Sequence, residues 1–167
     1  MINLKRIAIM LSILINLFIV NNIIYSESRF SNTKYHQDWI STTIVSDSDS
    51  PFKVIYTQNE DVLKFYKEGN DLHMQLMING IPGIPPSSDT IEVKSNLLID
   101  DVLVETISGS SWMTENNYII VDATIVHKED VIVKLKKGLK ITIAMNKKAK
   151  LSFSLNGITE ALKTIGY

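Results

Sequence analysis

The feature that most limits how this chain can fold is a series of short segments in which apolar and polar residues alternate. Turn-forming residues separate these segments. The two-residue period is clearest in residues 52–57, 62–67 and 72–78. That period places successive side chains on opposite faces of a strand, and one wet face is typical of antiparallel sheets. The pattern predicts a mainly β protein, either an antiparallel β-sandwich or a strongly curved sheet. Further β-rich segments are 39–45, 90–93, 97–99, 102–107 and 118–126.

Turn-forming residues divide these segments. Residues 47–51 and 68–71 are rich in Asp, Asn, Ser, Gly and Pro and predict tight turns. Residues 79–88 contain three prolines, which lack the N–H donor that a strand interior needs. We therefore expect a long exposed loop there, and a second loop at residues 109–111.

The last third of the chain changes period. Acidic residues, then apolar residues at helical spacing, then lysines and a glycine predict a short helix near 129–137. Residues 139–145 and 150–155 predict a strand pair, and residues 158–165 predict a C-terminal helix with one apolar face. The residues of that face are Ile158, Leu162 and Ile165.

The N-terminus has the pattern of a secretory signal peptide. Two basic residues precede an uncharged, mainly apolar run at 7–20. The run, at about 14 residues, is shorter than the roughly 20 that a spanning helix needs. Ser26 and Ser28 are small enough for cleavage after either one, so residues 1–28 are predicted to be removed. The alternative is an uncleaved anchor, which would bury two asparagines in lipid.

Composition limits the kinds of protein that the chain after the predicted signal peptide can be. We expect a flexible leader at 29–38 and a single β-sandwich domain at 39–167, long enough to bury a core of its own. Cysteine is absent, which excludes disulfides and attachment of lipid to a cysteine. Basic residues number 17 and acidic residues 18. This balance argues against a general nucleic-acid binder, which concentrates positive charge.

No group of residues in the sequence specifies a reaction. His36, His73 and His127 lie far apart and lack neighbouring ligands at metal spacing. Residues 47–50 have oxygen ligands at calcium-loop spacing, but an Asx turn is the simpler interpretation. Residues 109–111 lack the second glycine of a nucleophile elbow. The sequence therefore predicts no catalytic residue, no metal site, no cofactor and no enzyme.

Two features predict contact with a partner. Seven lysines between residues 134 and 150 suit an anionic surface, although solvated lysines at sheet edges are the simpler interpretation. Two isoleucines on the stiff proline loop could contact a partner, unless they fold back over the sheet. The predicted partner-binding residues are Ile81, Pro82, Ile84, Pro85, Lys136, Lys137, Lys147 and Lys148.

Several segments carry a resemblance to a known family: Asp38-Trp39, residues 69–78 and 98–101, and above all 135–143 and 153–162. They resemble the invasion-associated locus B family of exported bacterial β-sandwich proteins. Its members typically end with a short helix, a glycine, a strand pair and a strand that runs into a helix. They usually carry cysteines, which this chain lacks. A related pattern occurs in small exported accessory proteins of type VI secretion.

These observations favour one function over three alternatives. We expect an exported, non-enzymatic protein of the periplasm, cell surface or extracellular space that binds a protein or envelope component. The resemblance implies a role in host interaction or virulence. One alternative is an inhibitor of an envelope or host enzyme, with the proline loop inserted into its target. Another is a secretion-system accessory protein, and the third is an enzyme whose site no sequence motif reveals.

Overall fold

The computed structural model describes residues 29–45, 50–79, 89–114, 118–145 and 149–167. The predicted signal peptide, the proline loop at 80–88 and the turn at 146–148 lie outside these ranges. Strands take up 63% of the described residues, so the predicted mainly β class is confirmed.

Ten strands form one antiparallel sheet. The strands are β1 (Arg29–His36), β2 (Trp39–Val45), β3 (Phe52–Thr57), β4 (Val62–Glu68), β5 (Asp71–Asn79), β6 (Ile91–Ile99), β7 (Val102–Met113), β8 (Tyr118–Ile125), β9 (Lys140–Ala144) and β10 (Lys150–Ser154). Their order across the sheet is β1-β2-β3-β4-β5-β8-β7-β6-β9-β10, and the sheet is not closed. The β6–β7 hairpin is therefore placed between β8 and β9.

Both predicted helices are present. Helix α1 spans Lys128–Lys137 and helix α2 spans Ile158–Thr164. Each buries an apolar stripe, which in α2 includes Ile158 and Leu162. Gly138 follows α1 as expected, but its φ is −79°, outside the left-handed region. Instead it allows close packing, because an added Cβ would lie 2.4 Å from Cγ2 of Ile99. Neither helix of the described residues combines the length and apolar character that crossing a membrane requires.

The sheet curls until its two ends meet. The indole Nε1 of Trp39, on β2, donates a hydrogen bond to the carbonyl oxygen of Ser154, on β10, at 2.9 Å. Next to it, Asp38 N donates to Asn156 O at 3.3 Å. Eight strand spacings of about 4.8 Å would separate β2 from β10 by about 38 Å in a flat sheet. Of the two predicted architectures, the strongly curved sheet is therefore the one observed.

The main core lies inside this curl, between the sheet and both helices. It runs from Trp39 and Ile55 near one end of the sheet to Ile143 and Phe153 at the other. The helices fill the concave side, which explains why both have a buried stripe. The two sheet ends therefore share one core.

A second apolar cluster contradicts one expectation. The alternation in residues 52–57 predicts one wet face, yet Val54, Ile55, Tyr56 and Thr57 are all buried. Val54 and Tyr56 pack with Ile40 and Ile44 in a small cluster separate from the main core. Burial on both faces depends on what packs outside the strand, and a two-residue period does not report that.

The segments predicted as a leader and as a loop are strands in the structure. Residues 29–38 include β1, which pairs with β2 from Arg29 to His36. Its side chains are mainly exposed, so main-chain pairing defines it rather than an apolar pattern. Residues 109–111 are interior to β7, where an added Cβ on Gly109 would lie 2.1 Å from Asp122 O. That glycine permits a close approach between strands, a role a sequence can mistake for a turn.

Candidate functional site

Two of the eight predicted partner-binding residues lie in the described part of the chain. Lys136 and Lys137 are exposed in the last turn of α1. The other six lie outside it: Ile81, Pro82, Ile84, Pro85, Lys147 and Lys148. Partner binding by the proline loop and by the lysines at 147–148 thus remains a prediction.

A strained turn fixes the chain next to these two lysines. Asp100 and Asp101 join β6 to β7 with φ values of 50° and 65°, the left-handed conformation of a two-residue hairpin turn. The Asp100 carboxylate accepts hydrogen bonds from Leu139 N at 3.0 Å and Lys140 N at 2.9 Å. Asp101 pairs with Lys140 Nζ at 3.0 Å. The end of α1 is thereby fastened to the β6–β7 turn.

Three exposed apolar residues lie on the two backbone segments that this contact joins. Leu139 is 81% exposed, Val102 62% and Leu103 54%. We refer to these three residues together with Lys136 and Lys137 as the hairpin surface. The main chain of Leu139 is held on both sides, because its carbonyl also accepts a hydrogen bond from Leu155 N at 2.9 Å. A large apolar side chain thus projects into solvent from a rigid backbone.

Sequence reasoning missed the apolar half of the hairpin surface. Val102, Leu103 and Leu139 fit ordinary strand patterns, and such patterns imply burial. The signal that could have found them is Asp100-Asp101 between two apolar runs, since consecutive aspartates suit a two-residue turn. Residues at the tip of a hairpin extend past the end of the core, so apolar side chains there can be exposed.

A polar cavity of about 330 Å³ lies between the first three strands and α2. Its lining residues are Asn32, Lys34, Ser41, Thr42, Thr43, Lys53, Lys163 and Thr164. Lysines from β1, β3 and α2 line it, together with hydroxyl groups. The sequence could not have indicated it, because the three lysines are separated by up to 129 positions (163 − 34).

Ionisable residues form a third group on the opposite face of the sheet. Asp122 accepts hydrogen bonds from Gln75 Nε2 at 2.8 Å and Tyr66 Oη at 3.3 Å. The Tyr66 ring stacks on His73 with centroids 5.0 Å apart, and Lys64 Nζ lies 5.2 Å from the Tyr66 centroid. Burial lowers the pKa of Lys64 to about 8, although Asp122 acts to raise it. Each of these ionisable side chains therefore has a hydrogen-bond, stacking or cation–π partner on the sheet.

The three histidines are dispersed in the structure. His36 Nε2 lies 2.9 Å from Ser41 Oγ, and His127 Nδ1 lies 3.7 Å from Oε1 of the buried Glu105. Glu105 also accepts a hydrogen bond from Val126 N at 2.9 Å at the start of α1. Within the described ranges, no three of the side chains that commonly ligate metals come together.

Hydrogen bonds join four of the five segments behind the family resemblance, all except residues 69–78. The Asp38-Trp39 pair contacts Ser154 and Asn156, while Asp100 binds the backbone that follows Gly138. These contacts hold the curl of the sheet and the end of α1. No family model, curated protein or solved structure matches the chain. The resemblance to the invasion-associated locus B family therefore remains a prediction.

Proposed function

We propose that this chain is an exported, non-enzymatic protein that binds a protein partner through the hairpin surface. The observation that carries the proposal is Leu139, whose side chain is 81% exposed on a backbone that is hydrogen-bonded on both sides. Because the backbone is already ordered, inserting this side chain into a pocket would cost little conformational entropy. Rigid apolar anchors of this kind contribute much of the binding energy at protein interfaces.

The charges beside the anchor suggest what the partner presents. Lys136 and Lys137 lie shortly before Leu139 in sequence, and no described carboxylate pairs with either. Cations at the rim of an apolar contact favour a partner with acidic groups around an apolar pocket. Val102 and Leu103, next to the turn on β7, add one exposed apolar side chain on each face of the hairpin. We propose a partner protein whose apolar pocket has an acidic rim.

Export and a role in host interaction belong to the same proposal. The support is the predicted signal peptide and the resemblance described above. An inhibitor or a secretion-system accessory protein would also need a binding surface, but the loop proposed for inhibition lies outside the described residues. No described feature favours those alternatives over a binding protein.

The test uses the full chain, expressed with an affinity tag after Tyr167 and recovered after in vivo cross-linking. Intact-mass analysis should show loss of about 26 to 28 residues, as expected for signal-peptide cleavage. A specific partner should be captured by the wild type and lost with Leu139→Ser or with Lys136→Glu/Lys137→Glu.

Val126→Ser is the matched control, because Val126 is an apolar residue that is 73% exposed outside the hairpin surface. It should capture the partner as well as the wild type does. Equal capture by wild type and Leu139→Ser would overturn the proposed surface. Retention of Met1 in the recovered product would overturn the proposed processing.

A further inference from the structure

We propose that the polar cavity between β1, β2, β3 and α2, here termed the lysine cavity, binds an oxyanion, namely a phosphate or sulfate group. The proposal is independent of the hairpin surface. It rests on the charge of the cavity, on its polar floor and on a strand irregularity that directs one lysine into it.

Three lysines from separate elements line the cavity. Lys34 comes from β1, Lys53 from β3 and Lys163 from α2. Lys163 Nζ is held by Glu160 at 2.6 Å, whereas no described carboxylate pairs with Lys34 or Lys53. The lining contains no acidic residue, in a chain with a net charge of −1. A local excess of positive charge in a concave site attracts anions.

The floor of the cavity is polar and ordered. Ser41 is 2% and Thr42 3% exposed. Ser41 Oγ lies 2.9 Å from His36 Nε2, and Thr42 Oγ1 donates to Ser31 O at 3.2 Å. The contact with His36 holds the Ser41 hydroxyl on the face of β2 that it shares with Lys34 and Lys53, whereas the Thr42 hydroxyl lies on the other face and bonds to β1. Burying polar side chains at the base of a cavity is favourable only when they are hydrogen-bonded, as these are.

A bulge in β1 places Lys34 on the cavity side. Ser31 pairs with Thr43, so a regular antiparallel register would pair Lys34 with Ile40. The register instead shifts between Ser31 and Lys34, and Lys34 pairs with Ser41. Because neighbouring residues of a strand face opposite sides, the shift of one residue moves Lys34 away from the face of Ile40. Bulges commonly redirect a side chain beside a functional site.

Asn32 provides the backbone conformation that the bulge needs. Its φ is 57°, and it also lines the cavity. Asparagine is among the few residues other than glycine that adopt this left-handed conformation readily. The irregularity and the cavity thus occur at the same residue.

The size and chemistry of the cavity indicate the class of ligand. About 330 Å³ is at the small end of the range for ligand sites, which suits a single compact group. Lysine ammonium groups act as point charges without the planar fork of arginine. Three lysines around one cavity, with Thr43 and Asn32 also in its lining, supply the charge and the hydrogen-bond donors that the oxygens of a tetrahedral anion accept.

The experiment is a titration of the exported protein with inorganic phosphate and with sulfate, followed by calorimetry and amide NMR. Ionic strength is kept constant with sodium chloride, so that general screening does not change. We expect saturable one-site binding, with the affinity lowered at least tenfold in Lys34→Gln/Lys53→Gln. Lys94→Gln, at an exposed position on β6, is the control and should bind like the wild type.

Comparing pH 5.5 with pH 7.5 distinguishes the two sources of the anion. Inorganic phosphate gains its second charge at about pH 7, a little above the value for phosphate esters, so the dianion predominates only at the higher pH, whereas sulfate does not change. An affinity for phosphate that rises with pH while that for sulfate stays constant identifies a phosphate dianion site. Tighter binding of sulfate at both pH values identifies a sulfate site.

Two outcomes would overturn the proposal. They are the absence of saturation by either anion, or the same affinity in wild type and the double variant. Urea midpoints establish that the variants are folded. If the double variant does not fold, Lys34→Gln and Lys53→Gln are titrated singly, and each should lower the affinity at least threefold.

Discussion

Trp39 Nε1 donates a hydrogen bond to the carbonyl oxygen of Ser154 at 2.9 Å, which joins the second strand of the sheet to the last. The indole ring also stacks on Phe65 with centroids 5.9 Å apart, and Trp39 is 0% exposed. One side chain thus combines core packing with the contact that holds the two ends of the curled sheet together.

Trp39→Phe should separate these two roles. It keeps an aromatic ring but removes the N–H donor, which leaves the Ser154 carbonyl without this partner. We expect a loss of about 1 to 3 kcal/mol in the free energy of unfolding. Trp39→Ala should cost about 3 to 5 kcal/mol, because it also leaves a large cavity. Urea denaturation measures both. Trp112→Phe is the control, and an equal loss at both tryptophans would contradict a special role for the Trp39 hydrogen bond.

Gly157→Ala should disrupt the same joint. Gly157 has φ 89°, and an added Cβ would lie 1.9 Å from the carbonyl oxygen of His36. The conformation and the backbone clash both oppose a side chain, so we expect a loss of about 2 to 5 kcal/mol.

Gly69→Ala is the matched control for this prediction. Gly69 also has a positive φ, 58°, but no atom lies within 4 Å of the added Cβ. Only the conformational cost of about 1 to 2 kcal/mol should appear. Equal urea midpoints for the two variants would show that the contact with His36 does not restrict residue 157.

Leu162→Ala should destabilise the protein through α2. Leu162 is 0% exposed and belongs to the main core. The helix spans only seven residues, too few to persist without packing. Removal of the buried side chain should cost about 2 to 5 kcal/mol. Lys163→Ala, at the exposed neighbouring position, should leave the urea midpoint nearly unchanged. Equal midpoints for both variants would mean that α2 does not contribute to the fold.

The stability of the protein should depend on Lys64 at alkaline pH. Burial lowers the pKa of Lys64 from 10.5 to about 8. Between these values the unfolded chain binds more protons than the folded protein does, so the free energy of unfolding rises with pH. Burial raises the pKa of Tyr56; above about pH 10 tyrosine ionises in the unfolded chain, and this opposes the gain.

The measurement is therefore made from pH 8 to pH 9.5, below the ionisation of tyrosine. The urea midpoint of the wild type should increase across this interval. Lys64→Gln should remove most of the increase, and Lys94→Gln should retain it. The same increase in both variants would show that a different group titrates.

The sequence alone was sufficient for the elements whose signal is local. Alternation predicted β3, β4 and β5, and the order of acid, apolar stripe and lysine predicted α1. The apolar face of α2 was predicted residue by residue, from Ile158 to Ile165. These signals lie within a few residues of one another, and the period of a strand or helix determines which side chains share a face.

The candidate sites were only partly accessible from the sequence. The lysines at the end of α1 were predicted, and Lys136 and Lys137 are exposed. Their apolar neighbours at the β6–β7 turn were not, because the contact that gathers them joins Asp100 to Leu139. The lysine cavity depends on the register shift in β1. Such a shift in strand pairing does not alter the pattern of apolar and polar residues, so the sequence did not indicate it.

Tertiary structure decided the rest through pairing between distant residues. The polar segment Arg29–His36 is a strand because β2 supplies main-chain partners for it. Residues 109–111 continue β7 because Gly109 lets the strand approach β8 closely. The curl itself depends on Trp39 and Ser154, which are 115 positions apart. Composition and period report what each segment prefers, whereas the curl and both candidate sites arise only once the hydrogen bonds and core of the whole sheet are formed together.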